Sequence, residues 1–196
     1  MRKLVLLLVI ILLVTILLVT SVEAQEIKVP FTAETPIVVT NPGQSPEYSI
    51  VHILAQRINL PIKIDFHLEA KDLNGFKTLI IIIGGSGKGL GTAGISFQDE
   101  AERAKQLIAT AQEKGIKIIG MHLGGETRRG PNSDKMIKLV TPCCDYVIVR
   151  ADGNQDEIFN QICNKNKIPL TEIEKSIELT DFLKALFSTF KNDTKG

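Results

Sequence analysis

Residues 79–83 read LIIII, and the glycine-rich stretch GGSGKGLGTAG follows them at residues 84–94. An uninterrupted aliphatic run of this length predicts a central strand of a parallel sheet, buried on both faces. The glycines predict a loop that leads from the end of this strand into the next helix. Together the two stretches predict a strand–loop–helix unit, the repeating element of α/β folds.

The same alternation continues in both directions along the chain. Ser96 and Asp99 are spaced like a helix capping box, and Gly115 suits the end of the helix that follows. Short aliphatic or β-branched runs predict the other strands at residues 36–40, 62–68, 117–121, 146–149 and 170–173. We therefore expect an α/β fold with a doubly wound parallel sheet of five to six strands, a flavodoxin-like or Rossmann-like three-layer sandwich.

The amino terminus resembles a secretory signal peptide. Arg2 and Lys3 precede an apolar run at residues 4–19, and Val22 and Ala24 form a cleavage-like step. The run is shorter than the roughly 20 residues of a comfortable membrane span, which favours cleavage over a retained anchor. The chain is thus expected to be exported to the periplasm or the extracellular space.

These patterns divide the chain into a signal peptide at 1–24, a lead-in at 25–35, one α/β domain at 36–190 and a polar tail at 191–196. Of 23 basic and 22 acidic residues, the signal peptide contains two basic and one acidic, which leaves 21 of each. A near-neutral domain gives no indication of nucleic acid as a partner. Membrane contact is expected only through the signal segment before cleavage.

Three cysteines allow one disulfide and leave one thiol over. Cys144 precedes the strand at 146–149, and Cys163 ends the helix that runs back from it, so both are expected at the edge of the sheet opposite the site. A bridge from Cys163 to Cys143 or Cys144 is compatible with an oxidising compartment. Three free thiols are the alternative.

The loops that follow the strands indicate where a site should lie, because ligands of open parallel sheets bind beyond the carboxyl ends of the strands. Glycine backbones beside helix starts, one lysine and the only adjacent arginine pair of the domain favour an anion. The ligand-binding candidates are Gly84, Gly85, Ser86, Gly87, Lys88, Gly89, His122, Gly124, Gly125, Glu126, Arg128, Arg129, Ser133 and Asp134. The alternative is that the glycines only turn the chain and that an arginine pairs internally with Glu126 or Asp134.

Known cofactor motifs fit these loops poorly, and no cofactor is expected. The P-loop pattern fails, because Gly89 follows Lys88 and Ile82 stands five residues before Gly87. Residues 89–94 match the G-x-G-x-x-G pattern of dinucleotide-binding sites. They follow the third predicted strand, however, whereas in those sites the pattern comes directly after the first strand. A flavin finds no aromatic partner in the loops, and the spacing of His122, Glu126 and Asp134 is not diagnostic of a metal site.

Ser86, His122 and Asp134 are also the candidate catalytic residues. They would form a nucleophilic triad if the fold brought them together, although Ser86 lacks the G-x-S-x-G elbow. Three functions follow, in order of preference. The first is an exported binder of a small carboxylate or phosphate compound, the second a hydrolase with His122 as base, and the third an accessory protein for an unknown protein partner.

The two glycine-rich motifs, GGSGKGLGTAG-x-x-F and MH-x-GGE-x-RRG-x-x-SD, resemble an uncharacterised family of secreted bacterial flavodoxin-like α/β proteins, a domain of unknown function. The resemblance extends from about residue 35 to residue 187 and includes the signal segment. It implies export and a small α/β fold, and it implies no activity.

Overall fold

The structure is a computed structural model that describes Arg2, Ile27 and residues 29–190. Apart from Arg2, the predicted signal peptide lies outside the described residues, and so does the predicted tail at 191–196. In the part that is described, no helix combines the length and the apolar character needed to cross a membrane.

The described residues form a six-stranded sheet in which all neighbouring strands run parallel. The strands are Ile37–Thr40 (β1), Ile62–Ile64 (β2), Thr78–Ile82 (β3), Lys117–His122 (β4), Tyr146–Arg150 (β5) and Leu170–Ile173 (β6). Their order across the sheet is β2-β1-β3-β4-β5-β6. This is the flavodoxin-like arrangement with a sixth strand at one edge.

Helices cover both faces of this sheet. They are Tyr48–Arg57 (α1), Gly87–Ala93 (α2), Phe97–Glu113 (α3), Pro131–Val140 (α4), Ile158–Asn166 (α5) and Leu179–Leu186 (α6). Successive side chains of a strand point to opposite faces. Ile80 and Ile82 pack in the same core cluster as α1 and α6, whereas Leu79 and Ile81 pack with α3, α4 and α5. The predicted doubly wound three-layer sandwich is thus confirmed.

The glycine-rich stretch at 84–94 differs from the expected loop, because most of it is the short helix α2. Ser86 caps this helix by accepting a hydrogen bond from the N–H of Gly89, and Leu90 anchors it in the core. Gly94 ends it with a φ of 67°, in the left-handed region. The cap, the buried leucine and the terminal glycine outweigh the poor helix propensity of the other glycines.

Two other elements are shorter than the sequence predicts. The strand expected at 62–68 ends at Ile64, because the side chain of Asp65 accepts the N–H of His67 and turns the chain. Ser45 and Pro46 are typical of a helix start, so the sequence predicts that α1 begins there with Ser45 as its cap. In the structure, α1 begins at Tyr48 without a side-chain cap, since the hydroxyl of Ser45 donates to Glu47. Both departures arise where a side chain forms a contact that sequence spacing does not indicate.

The strand order places a topological switch point between β1 and β3. The chain leaves β1 towards β2 on one side, then crosses back so that β3 lies on the other side of β1. The loops after β1 and β3 therefore diverge, and a crevice opens between them at the carboxyl edge of the sheet.

Candidate functional site

A polar cavity of about 200 Å³ lies at this edge of the sheet. Its lining combines four hydroxyl side chains, two arginines and two glycines, which come from the loops after β1, β3 and β4 and from the start of α4. These residues are Ser45, Gly85, Ser86, Gly87, Thr127, Arg128, Arg129 and Ser133. Six of the eight are among the ligand-binding candidates of the sequence, and Ser45 and Thr127 are not.

The glycine at position 85 allows the loop after β3 to contact the start of α4. A Cβ on Gly85 would lie 2.6 Å from the Cβ of Asn132, so no larger residue fits without movement. The N–H of Gly85 donates to the hydroxyl of Ser133 at 2.9 Å, and that hydroxyl donates to the carbonyl oxygen of Arg128 at 2.6 Å. Ser133 thus joins two loops of the cavity wall.

Glu47, which is only 3% exposed, joins the loop after β1 to the loop after β4. Its Oε2 accepts the N–H groups of Leu123 and Gly124 at 2.7 and 2.8 Å, and its Oε1 accepts the hydroxyl of Ser45 at 3.0 Å. Two backbone donors of the glycine-rich loop after β4 are therefore occupied by a carboxylate of the protein itself.

Glu100 holds the loop after β1 in the same way from helix α3. Its Oε2 accepts the N–H of Gly43 at 2.9 Å and the side-chain amide of Gln44 at 3.0 Å. Both carboxylate oxygens also bind Arg103, at 2.8 and 3.0 Å. Burial by itself would raise the pKa of Glu100, but the guanidinium of Arg103 and the amide donors outweigh it and hold this pKa below its usual value.

The two adjacent arginines of the cavity have different environments, and Arg129 uses four of its five N–H groups within the protein. Its guanidinium donates to Asp134 at 2.9 Å, to both carboxylate oxygens of Asp156 at 2.8 Å, and to the carbonyl oxygen of Gly153 at 2.9 Å. Hydrogen bonding to Arg129 lowers the pKa of Asp156 to about 2. Arg129 therefore connects the cavity loop to the loop after β5, and two carboxylates compensate its charge.

Arg128, in contrast, is exposed, and its guanidinium has no acidic partner among residues 29–190. Its backbone is fixed by the carbonyl contact with Ser133, and its aliphatic stem packs against Gly124, where a Cβ would lie 2.1 Å from the Cγ of Arg128. The charged end of a well-anchored side chain is thus available at the cavity.

His122 does not lie on the cavity wall, which corrects the expectation from the sequence. The side chain is fully buried at the end of β4, and its Nδ1 lies 2.8 Å from the carbonyl oxygen of Ile83. Since a carbonyl only accepts, Nδ1 must be the protonated nitrogen. The other nitrogen, Nε2, has no hydrogen-bond partner and faces Gly153, where a Cβ would lie 2.9 Å away.

The candidate catalytic residues consequently do not form a triad. Ser86 caps α2, His122 binds the carbonyl of Ile83 and Asp134 binds Arg129. No cluster of three metal-ligating side chains occurs within the described residues, so His122, Glu126 and Asp134 are not assembled into a metal site. Each of the three catalytic candidates has a structural role in the fold.

The remaining candidates surround the cavity without lining it. Lys88 is exposed on α2, and Glu126 is exposed at the start of the turn Glu126–Arg128. Four glycines complete the group: Gly84, Gly89, Gly124 and Gly125. Ser45 and Thr127 were not among the ligand-binding candidates of the sequence, and their positions in the loops after β1 and β4 were the signal that pointed to them.

The three cysteines are free thiols in the structure, so neither bridge to Cys163 is formed. Cys144 and Cys163 are buried in the core cluster that contains α3, α4 and α5, and Cys143 packs against it. Burial raises the pKa of the Cys163 thiol to about 11.

Comparison with known families gives one match, a domain of unknown function (DUF6305), whose model matches residues 34–187. A search of curated proteins gives no match.

Three solved structures show a distant likeness in fold. A G-D-S-L family protein from Desulfitobacterium hafniense DCB-2 is 12% identical, with 72% of this chain and 77% of that chain covered and a TM-score of 0.35. The psychrotrophic esterase EstA from Pseudoalteromonas sp. is 14% identical, with 70% and 76% covered and a TM-score of 0.31. The YdjI aldolase from Escherichia coli K12 is 12% identical, with 77% and 62% covered and a TM-score of 0.31. At TM-scores this low, the likenesses carry no conclusion about activity.

Proposed function

This chain belongs to the DUF6305 family, and we propose that it is an exported single-domain protein that binds a small anion in the cavity at the switch point. The observation that carries the proposal is the guanidinium of Arg128, which lines the cavity and has no acidic partner among the described residues. An arginine in this state is suited to a carboxylate or a phosphate, because its planar fork donates two parallel hydrogen bonds to either group.

The charges around the cavity support a ligand of low charge. Arg129 is neutralised by Asp134 and Asp156, and Lys88 lies outside the lining, so one uncompensated positive charge faces the cavity. Glu47 lies outside the lining, and its two oxygens accept hydrogen bonds from Ser45, Leu123 and Gly124. A ligand with one anionic group matches this arrangement better than a polyanion does.

The size of the cavity supports a compact ligand. About 200 Å³ is less than the roughly 300 Å³ at which cavities begin to hold drug-sized ligands. The lining contains no aromatic side chain, so a flat ring finds no stacking partner there. Nucleotides and flavins are therefore poorer candidates than a carboxylate or a phosphate compound of a few heavy atoms.

Binding is a better proposal than hydrolysis. A hydrolase would need a base that reaches the cavity, and the side chain of His122 is fully buried with its Nδ1 hydrogen-bonded to a carbonyl. The export that the proposal includes rests on the signal-like pattern of residues 1–24.

The test is a thermal-unfolding screen of the protein with inorganic phosphate, acetate and other small oxyanions, with Arg128→Ala beside the wild type. A ligand at one hundred times its dissociation constant stabilises the folded state by about 2.7 kcal/mol. For a chain of this size, that is an increase in Tm of about 5–10 °C. We expect at least one anion to raise the Tm of the wild type and to leave that of Arg128→Ala unchanged.

Arg57→Ala is the matched control, because Arg57 is exposed at the end of α1, at the opposite edge of the sheet. It should retain the full response to the anion. If no anion raises the Tm of the wild type, or if Arg128→Ala responds as strongly as Arg57→Ala, the anion site is refuted. An absence of any response would direct attention to a protein partner at the same edge.

A further inference from the structure

Two hydroxyl groups of the cavity have already used their hydrogen atoms within the protein. Ser45 donates to Oε1 of Glu47 at 3.0 Å, and Thr127 donates to the carbonyl oxygen of Gly124 at 3.2 Å. A hydroxyl has one hydrogen and two lone pairs, so each of these oxygens offers only lone pairs to a ligand. The carboxylate behind Ser45 also polarises its hydroxyl, which makes the oxygen a stronger acceptor.

The other two hydroxyls differ from each other. Ser133 donates to the carbonyl oxygen of Arg128 and accepts the N–H of Gly85, so it is almost fully occupied. Ser86 accepts the N–H of Gly89 at 3.0 Å, and its own hydrogen has no acceptor among residues 29–190. Ser86 is therefore the one hydroxyl of the lining that is free to donate.

The lining consequently offers a ligand both hydrogen-bond donors and hydrogen-bond acceptors. Ser86 and Arg128 supply hydrogen-bond donors, and Ser45 and Thr127 supply acceptors. An anionic group satisfies only the donors, because a carboxylate or a fully ionised phosphate has no hydrogen to give. Polar atoms left without partners in a binding site reduce affinity, so the best ligand also brings a donor.

We propose that the natural ligand is a small hydroxylated anion, such as a 2-hydroxycarboxylate or the phosphate ester of a short polyol. This inference rests on the proposed anion site and adds the requirement for a hydroxyl group. The anionic group binds Arg128 and the hydroxyl of Ser86, and the ligand hydroxyl donates to Thr127. An ammonium group would also be a donor, but the nearby charge of Arg128 repels it, which favours the neutral hydroxyl.

The experiment compares matched probes by isothermal titration of the purified protein: acetate with glycolate, and ethyl phosphate with 2-hydroxyethyl phosphate. Within each pair the hydroxylated anion should bind about threefold to tenfold more tightly, which is the contribution of one added hydrogen bond. The pair that binds also distinguishes a carboxylate ligand from a phosphate ligand.

Thr127→Val links this preference to the proposed acceptor, since valine has a similar shape and no oxygen. In this variant the two affinities within a pair should become equal, so that the preference for the hydroxylated partner is lost. Thr110→Val is the control, because Thr110 lies near the end of α3, away from the cavity, and this variant should keep the preference.

The possible results separate the two proposals. If none of the four probes binds, the anion site itself is refuted. If both members of a pair bind with equal affinity, or if glycine binds more tightly than glycolate, the anion site stands and the requirement for a hydroxyl group is refuted. A preference that survives in Thr127→Val refutes the assignment of the acceptor.

Discussion

Replacing Glu100 with glutamine tests whether a buried carboxylate positions the loop after β1. The Glu100 side chain is 6% exposed and accepts four hydrogen bonds, two of them from Arg103. Glutamine has the same shape but only one acceptor oxygen. Whichever way the amide is oriented, at least one N–H of Arg103, Gly43 or Gln44 then faces an N–H₂ group.

The magnitude follows from these contacts. Losing a hydrogen bond to a charged group costs about 1.5–3 kcal/mol. Removing one partner of a buried ion pair outright costs about 3–5 kcal/mol. Arg103 keeps two other acceptors, the hydroxyl of Thr40 at 3.2 Å and the carbonyl oxygen of Leu68 at 3.0 Å. We therefore expect Glu100→Gln to reduce the free energy of unfolding by about 3 kcal/mol, near the overlap of the two ranges.

Urea denaturation followed by circular dichroism measures this change, and Glu102→Gln is the matched control. Glu102 lies on the same helix, is 54% exposed and pairs with Lys105 at 3.4 Å, so its replacement should cost less than about 1 kcal/mol. A loss of similar size in the two variants would refute the positioning role of Glu100.

The pH dependence gives a second measurement of the same interaction. The pKa of Glu100 is lower in the folded state than in the unfolded chain. Its contribution to stability is therefore complete above the unfolded pKa of about 4.3 and is lost as the pH falls through the folded value. The stability difference between wild type and Glu100→Gln should shrink below about pH 4.3, and a difference that stays constant there would contradict the argument.

Three further predictions concern the surroundings of the cavity. Gly85→Ala should lower the free energy of unfolding by about 1–3 kcal/mol, because the new methyl group overlaps the first turn of α4. Gly87→Ala is the control and should not lower it, because a Cβ at this position meets nothing within 4 Å. Equal losses of stability in urea denaturation of the two variants would contradict the overlap. The carboxyl group of Asp156 should titrate near pH 2 by NMR, and its pKa should rise in Arg129→Ala towards the ordinary value of about 3.9; an unchanged titration would disprove the contact with Arg129. The thiol of Cys163 should react with a disulfide reagent only on unfolding, because it is buried and its pKa is about 11, and rapid labelling of the folded protein would show that this part of the core opens.

The location of the cavity is largely determined by the sequence. Aliphatic runs that alternate with amphipathic stretches specify a parallel sheet, and a parallel sheet brings the loops after its strands to one edge. Ser86, Arg128 and Ser133 were therefore assigned to a common site from their positions after strands or at the start of a helix. Such reasoning depends on backbone direction alone, which hydrophobic periodicity defines well.

The sequence could not assign roles to the polar residues of that edge. Glu47 and Glu100 look like ordinary helix-terminal acids, yet each is buried and binds a loop distant in the chain. His122 follows an apolar strand as a catalytic residue would, yet it is buried against the carbonyl of Ile83. Which donor meets which acceptor depends on distances of a few tenths of an ångström between separate loops, and residue spacing contains no such information.

By itself, the sequence predicted the fold class, which the structure confirms, and the edge of the sheet at which the polar cavity lies. The tertiary structure alone distinguished Arg128 from Arg129, two adjacent residues of the same type. Packing places two aspartates and a carbonyl oxygen around Arg129, whereas the guanidinium of Arg128 meets no carboxylate within the described chain. The physical reason is that the availability of a charge depends on its neighbours in space, and these are set when the loops after β4 and β5 pack against each other.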